Sequence, residues 1–162
     1  MGNFSEALSY AASLCSASEQ CAQDILKKTE KFELSETDKA QLIERLEKEG
    51  FLDRRRFVHA FVSDKFRFSK WGKVKLHFML RQKGLDEAII KEELDGINEN
   101  AYLETLYTLL VQKKSGIKSQ NAYELNAKLH RFALSRGFEP AVISVCLKQL
   151  TTGTHEQDAY ND

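Results

Sequence analysis

Leu76-His77-Phe78-Met79-Leu80-Arg81-Gln82-Lys83-Gly84-Leu85-Asp86-Glu87-Ala88-Ile89-Ile90-Lys91-Glu92-Glu93-Leu94 returns 53 positions later, at 129–147. Leu76/Leu129, His77/His130, Gly84/Gly137, Ala88/Ala141, Ile90/Ile143 and Leu94/Leu147 are identical, while Lys83/Arg136, Leu85/Phe138, Asp86/Glu139 and Ile89/Val142 keep their chemistry. Each copy reads as a helix, a glycine turn and a second helix, because glycine just past an apolar period is a helix stop signal. Self-similarity at a spacing of a few tens of residues marks an array whose units bury their apolar faces against each other. Such an array offers a long binding surface rather than a single catalytic pocket.

Outward from this repeat, the chain has a single proline, Pro140, eight glycines and no alternating run of Val, Ile and Thr. The fold class is therefore all-α. Nine helices are expected in three tandem groups of three. The first group is read at 5–14, 17–29 and 36–49, with start signals at Ser16/Glu19 and Ser35/Asp38 and a core stripe of Ala40, Ile43 and Leu46. The second runs from an N-cap at Asp53 to about 68, then 71–83, then onward from a cap at Asp86. The third covers 98–114, 119–136 and 139–150, with Pro140 in a first turn that needs no N–H from it. The repeats are thus placed at 1–52, 53–97 and 98–150. The first is a divergent end copy, in which Leu26, Phe32, Ala40, Ile43 and Leu46 stand in for Leu80, Leu85, Ala88, Ile90 and Leu94. Residues 151–162 show no apolar period and read as a disordered tail.

Lys and Arg number 24, as do Asp and Glu, so the net charge is zero. The total conceals blocks: residues 54–83 hold 10 basic groups and 1 acidic, whereas 1–53 hold 6 and 11 and 84–104 hold 1 and 7. A basic strip on an otherwise acidic body suits a polyanion or an acidic partner. Cys15, Cys21 and Cys146 form neither a CxxC nor a ligand spacing with any histidine, which fits reduced thiols in a cytoplasmic protein. No apolar run approaches the length of a membrane span, and no signal peptide is read.

The sequence holds no phosphate-cradling GxxxxGK[ST] loop, HExxH or nucleophile elbow. His77 and His130 recur at equivalent repeat positions, which shared packing explains better than twin active sites. No enzyme, cofactor or metal is therefore expected. The basic segment is the stronger signal. Arg54, Arg55 and Arg56 open one helix, Lys65 and Arg67 lie near its end, and Lys70, Lys73, His77 and Arg81 fall on one edge of the next at 100° per residue. With Lys75 these cations have the density that neutralising phosphates requires. Trp71, between Lys70 and Lys73, either stacks on a base or packs into the core at the start of its helix. Phe78 and Met79 add apolar groups beyond the stripe of Leu76 and Leu80, for burial against a neighbouring unit or a partner contact.

Three stretches resemble one family. Gly50-Phe51-Leu52-Asp53-Arg54-Arg55-Arg56-Phe57 is similar to an N-terminal motif of the RecX family, bacterial regulators of the RecA recombinase. Lys70-Trp71-Gly72-Lys73-Val74-Lys75-Leu76 followed by Leu80-Arg81-Gln82-Lys83-Gly84 resembles its central signature, and Lys128-Leu129, Arg131-Phe132 and Arg136-Gly137-Phe138 its C-terminal one. The resemblance implies an elongated, curved stack of three tri-helical units lodged in the groove of a RecA–single-stranded DNA filament. It also implies a monomeric cytoplasmic regulator that limits filament extension, ATP turnover, strand exchange and the co-cleavage step of the SOS response, and binds DNA weakly and without sequence preference. The contact residues expected on that basis are Arg54, Arg55, Arg56, Lys65, Arg67, Lys70, Trp71, Lys73, Lys75 and Arg81. The competing reading is a free-standing helix-turn-helix DNA-binding regulator. The basic helix lacks the Asn, Gln and Ser of a base reader, which weighs against it.

Overall fold

A computed structural model describes residues 2–160. Among these the chain is all-helical: α1 Gly2–Ala17, α2 Ala22–Lys28, α3 Glu36–Lys48, α4 Arg54–Arg67, α5 Lys73–Gln82, α6 Glu87–Asp95, α7 Glu99–Ser115, α8 Ala122–Ser135 and α9 Pro140–Tyr160, with a 3-10 turn at Glu30–Phe32. Two compact units are distinguished. The first comprises the chain up to Ser63 together with Met79–Glu93, and the second Asp64–Phe78 together with the chain from Leu94 onward.

In the first unit Ala11, Ile25, Leu42, Leu46 and Leu52 form a buried cluster, with Phe4, Leu8, Ile43 and Phe51 packed around it. Ser35 caps α3 as its sequence signal requires, its hydroxyl accepting the N–H of Asp38 at 3.1 Å. Gly50 follows at φ 81°. Two local expectations fail. Ser16 lies inside α1 and donates to the Ala12 carbonyl at 3.0 Å, so no capping box forms and α2 starts only after Cys21. A serine hydroxyl within a helix finds the carbonyl one turn back as readily as a free N–H at a start. In α3 Leu46 is buried and Ile43 packs against the cluster as expected, but Leu42 is buried in the place expected of Ala40, which is exposed; the larger side chain takes the buried face because it removes more apolar surface from water.

In the second unit α7, α8 and α9 pack on one another around Tyr102, Leu106, Leu110, Leu129, Ala133, Phe138, Ile143 and Cys146. Asn98 and Asn121 cap α7 and α8, each amide oxygen accepting an N–H three residues on. α8 therefore begins at Ala122 rather than at 119. α9 is described as far as Tyr160, and residues 161–162 of the expected tail lie outside the described residues.

The repeat that dominates the sequence is visible as burial. Leu76 and Leu129 are both fully buried, as are Leu80 and Ala133, and Ile90 and Ile143. Gly84 and Gly137 both have positive φ, 83° and 92°. Beyond each glycine the next N–H reaches back to the carbonyl five residues earlier, Leu85 to Leu80 and Phe138 to Ala133, which closes the helix end in the same way twice.

Candidate polyanion interface

The basic block divides into two groups that differ in their partners. In the first unit the arginines at the start of α4 are each matched by a carboxylate. Arg54 Nη1 lies 3.2 Å from Asp86, with Glu47 3.7 Å from its other nitrogen. Arg55 meets Glu92 at 2.6 Å, and Arg56 meets Glu19 at 2.9 Å while also donating to the Gly50 carbonyl at 2.9 Å. Arg81 Nε is 3.5 Å from Glu87, and Lys83 is 3.0 Å from Asp24. The groove beside this ladder, about 440 Å³ and lined by Glu19, Arg55, Arg56, His59, Glu92 and Glu93, has mixed charge. Of the expected contact residues, Arg54, Arg55, Arg56 and Arg81 are thus each ion-paired, in pairs that remain partly exposed.

The second group lies at 65–75, around the connector 68–72 between α4 and α5. Among the described residues, Arg67, Lys70, Lys73 and Lys75 enter no ion pair. Lys65 Nζ and Lys75 Nζ stand 5.0 and 4.6 Å from the centroid of the Trp71 ring, and the Arg67 guanidinium stands 5.4 Å from that of Phe68. A cation at this range over an aromatic face is attracted by the ring quadrupole. Trp71 is half-buried, ahead of α5 rather than within it, and Phe68 is 74% exposed. Lys70 also precedes α5, so it shares no helix face with Lys73 and His77; the expected four-residue edge is broken at its first member.

The connector is held from both ends. Trp71 N–H donates to the Lys65 carbonyl at 3.1 Å, which closes α4. Gly72 N–H donates to the Arg136 carbonyl at 2.8 Å and Val74 N–H to the Gly137 carbonyl at 2.9 Å, so the start of α5 is set on the end of α8. The approach is close enough to exclude side chains: a Cβ on Gly72 would sit 2.4 Å from the Gly137 oxygen, and one on Gly137 would sit 2.2 Å from the Lys75 Cβ. Arg136 adds a bond to the Ser69 carbonyl at 3.0 Å. Lys73 N–H donates to the Tyr102 hydroxyl at 2.9 Å, and that hydroxyl donates to Glu139. Burial first, then the bond to Glu139, push the Tyr102 phenol well above its usual range, so it remains a neutral donor.

Sequence reasoning missed Tyr102, Glu139 and the anchoring role of Arg136. Arg136-Gly137 was visible as a repeat motif, but nothing marked its carbonyls as the seat of a loop 64 residues earlier in the chain. Desolvation raises the thiols of Cys15, Cys21 and Cys146, which disfavours the thiolate needed for nucleophilic chemistry. Among the described residues no group of His, Cys, Asp and Glu has the arrangement of a metal site, and no helix is long and apolar enough to cross a membrane. Phe78 is 58% exposed and Val74 53%, so these apolar groups of α5 are not taken up by the fold.

Comparison with known proteins places this architecture. A family model for the second three-helix domain of RecX matches residues 55–94, and one for the third three-helix domain of RecX matches 100–147. A regulatory protein RecX of Chlorobium phaeobacteroides (strain BS1) is 31% identical over 145 residues, covering 90% of this chain and 93% of the relative. One of Chromobacterium violaceum is 30% identical over 152 residues, 94% and 93% of the two chains. Against a longer relative of Clostridium botulinum (strain Alaska E43 / Type E3), also 31% identical, the match spans 66% of this chain and 50% of that protein. The crystal structure of RecX from Lactobacillus salivarius has the same fold, with a TM-score of 0.81 over 93% of this chain and 98% of that one at 16% identity.

Proposed function

The chain belongs to the RecX family of regulatory proteins, and from that premise we propose that it binds RecA and RecA filaments on single-stranded DNA and restrains filament extension, ATP turnover and strand exchange. Family membership carries the reading. Cations at 67–75 with no carboxylate partner support it, since a regulator that works by occupancy needs a charged surface and no catalytic group of its own. The same cations account for weak, sequence-independent affinity for DNA. The protein acts in the cytoplasm as a monomer built of three repeats at 1–52, 53–97 and 98–150.

The test is a titration of the purified chain into a RecA–single-stranded DNA ATPase assay. Turnover is expected to fall progressively as the chain approaches stoichiometry with RecA. Unchanged turnover at excess would overturn the proposal. A nanomolar, sequence-dependent gel shift on duplex DNA alone would instead support the helix-turn-helix regulator.

A further inference from the structure

The connector between α4 and α5 contains a backbone anomaly. Lys70 has φ 57°, in the left-handed region that glycine enters freely and a residue with a Cβ enters only at a cost. The geometry is imposed locally, because Lys70 lies between the Ser69 carbonyl, held by Arg136, and the Trp71 N–H that closes α4. Glycine would meet that demand without strain. The lysine side chain is exposed and enters no ion pair among the described residues. A strained, exposed and unpaired cation gives the fold nothing that explains its presence, and strain of this kind gathers where a binding surface needs a particular group in a particular place.

Its neighbours define what that group would meet. Phe68, 74% exposed, carries the Arg67 guanidinium 5.4 Å from its ring centroid, and Trp71 has two ammonium groups within 5.0 Å. We infer that the connector 68–72 with Lys73 and Lys75 is a contact surface for single-stranded nucleic acid, in which Lys70 is a dedicated phosphate ligand and Phe68 a stacking platform for a base. An acidic peptide would also satisfy the cations. It would leave Phe68 without the flat π-partner that every nucleobase supplies. Because the connector is tied to α8 through Gly72 and Arg136, little ordering is lost when the strand binds.

This inference deepens the proposed function and rests on it for the presence of a single strand, yet its test uses bare DNA. Fluorescence anisotropy with a labelled oligo-dT would be recorded for the full chain and for Lys70→Gly, Phe68→Ala and Lys39→Gln at several salt concentrations, beside thermal melts. Lys70→Gly is expected to leave Tm unchanged or raised, to weaken binding several-fold and to lower the salt slope by about 0.7, the release from one phosphate of a single strand. Phe68→Ala is expected to weaken binding with the salt slope retained, and Lys39→Gln, which removes an equal charge from α3, to change neither. Undiminished affinity and slope in Lys70→Gly would overturn the inference. So would a fall in its Tm, which would make Lys70 a structural residue, or competition by poly-glutamate as effective as that by unlabelled oligo-dT. Any of these leaves the effect on RecA turnover to be judged separately.

Discussion

Whether a cation is available depends on its partner, and partners across long sequence separations are what the sequence hides. Arg54, Arg55 and Arg56 read as the most basic run in the chain, yet apart from Glu47 beside Arg54 their carboxylates lie 32 or more residues away, at Asp86, Glu92 and Glu19. We expect Arg55→Gln to change oligo-dT affinity less than twofold and to leave the urea midpoint essentially unmoved, since its pair with Glu92 is well exposed; isothermal binding and urea melts check both. Asp24 behaves differently. Burial pushes its carboxyl up, but hydrogen bonds from Lys83 and Cys21 outweigh that and bring it below its usual value. With the folded value below the unfolded one of about 3.9, its contribution is in place above that pH and disappears as pH falls through the folded value. Asp24→Asn is therefore expected to be less stable at pH 6 and to lose less stability between pH 5 and pH 3, as urea midpoints would show.

At the scale of the element, the glycine stops and the starts of α3 and α7 were legible because their causes are local, whereas the starts of α2 and α8 were misplaced. Ser35, Asn98, Gly84 and Gly137 each act on residues within one turn. The seating of α5 on α8 was not legible, because two glycines that look alike in sequence do different work. Gly84 has open space where a Cβ would go, whereas Gly137 has Lys75 against it. Gly84→Ala is expected to cost about 1–2 kcal/mol from its positive φ alone, and Gly137→Ala distinctly more because backbone must also move. Equal losses in chemical denaturation would refute the close approach. Tyr102→Phe removes the donor to Glu139 and the acceptor for Lys73 N–H, with an expected loss of about 1–3 kcal/mol. Burial and that bond raise the phenol, so its share of stability is present below about pH 10 and is lost as pH rises beyond it. The variant should lack that part of the alkaline decline.

At the scale of the whole molecule, the repeat made the all-helical class and the core readable, since Leu76/Leu129 and Ile90/Ile143 are buried in both copies. The divergent first copy was read less well, because without a glycine turn its period had no fixed origin, and Ile25 and Leu42 are buried where Leu26 and Ala40 were expected to be. Of the ten expected contact residues, Arg54, Arg55, Arg56 and Arg81 are ion-paired, whereas Arg67, Lys70, Lys73 and Lys75 around Trp71 enter no ion pair among the described residues. The most direct measurement is co-sedimentation of the chain with RecA filaments on single-stranded DNA, comparing the wild type with Lys70→Glu/Lys73→Glu/Lys75→Glu and with Arg54→Glu/Arg55→Glu, each checked for folding by circular dichroism. The wild type should pellet with filaments, the triple lysine variant should be lost from the pellet at moderate salt, and the arginine variant should be retained. A wild type that stays in the supernatant, or a triple variant that pellets as fully as the wild type, would contradict the account.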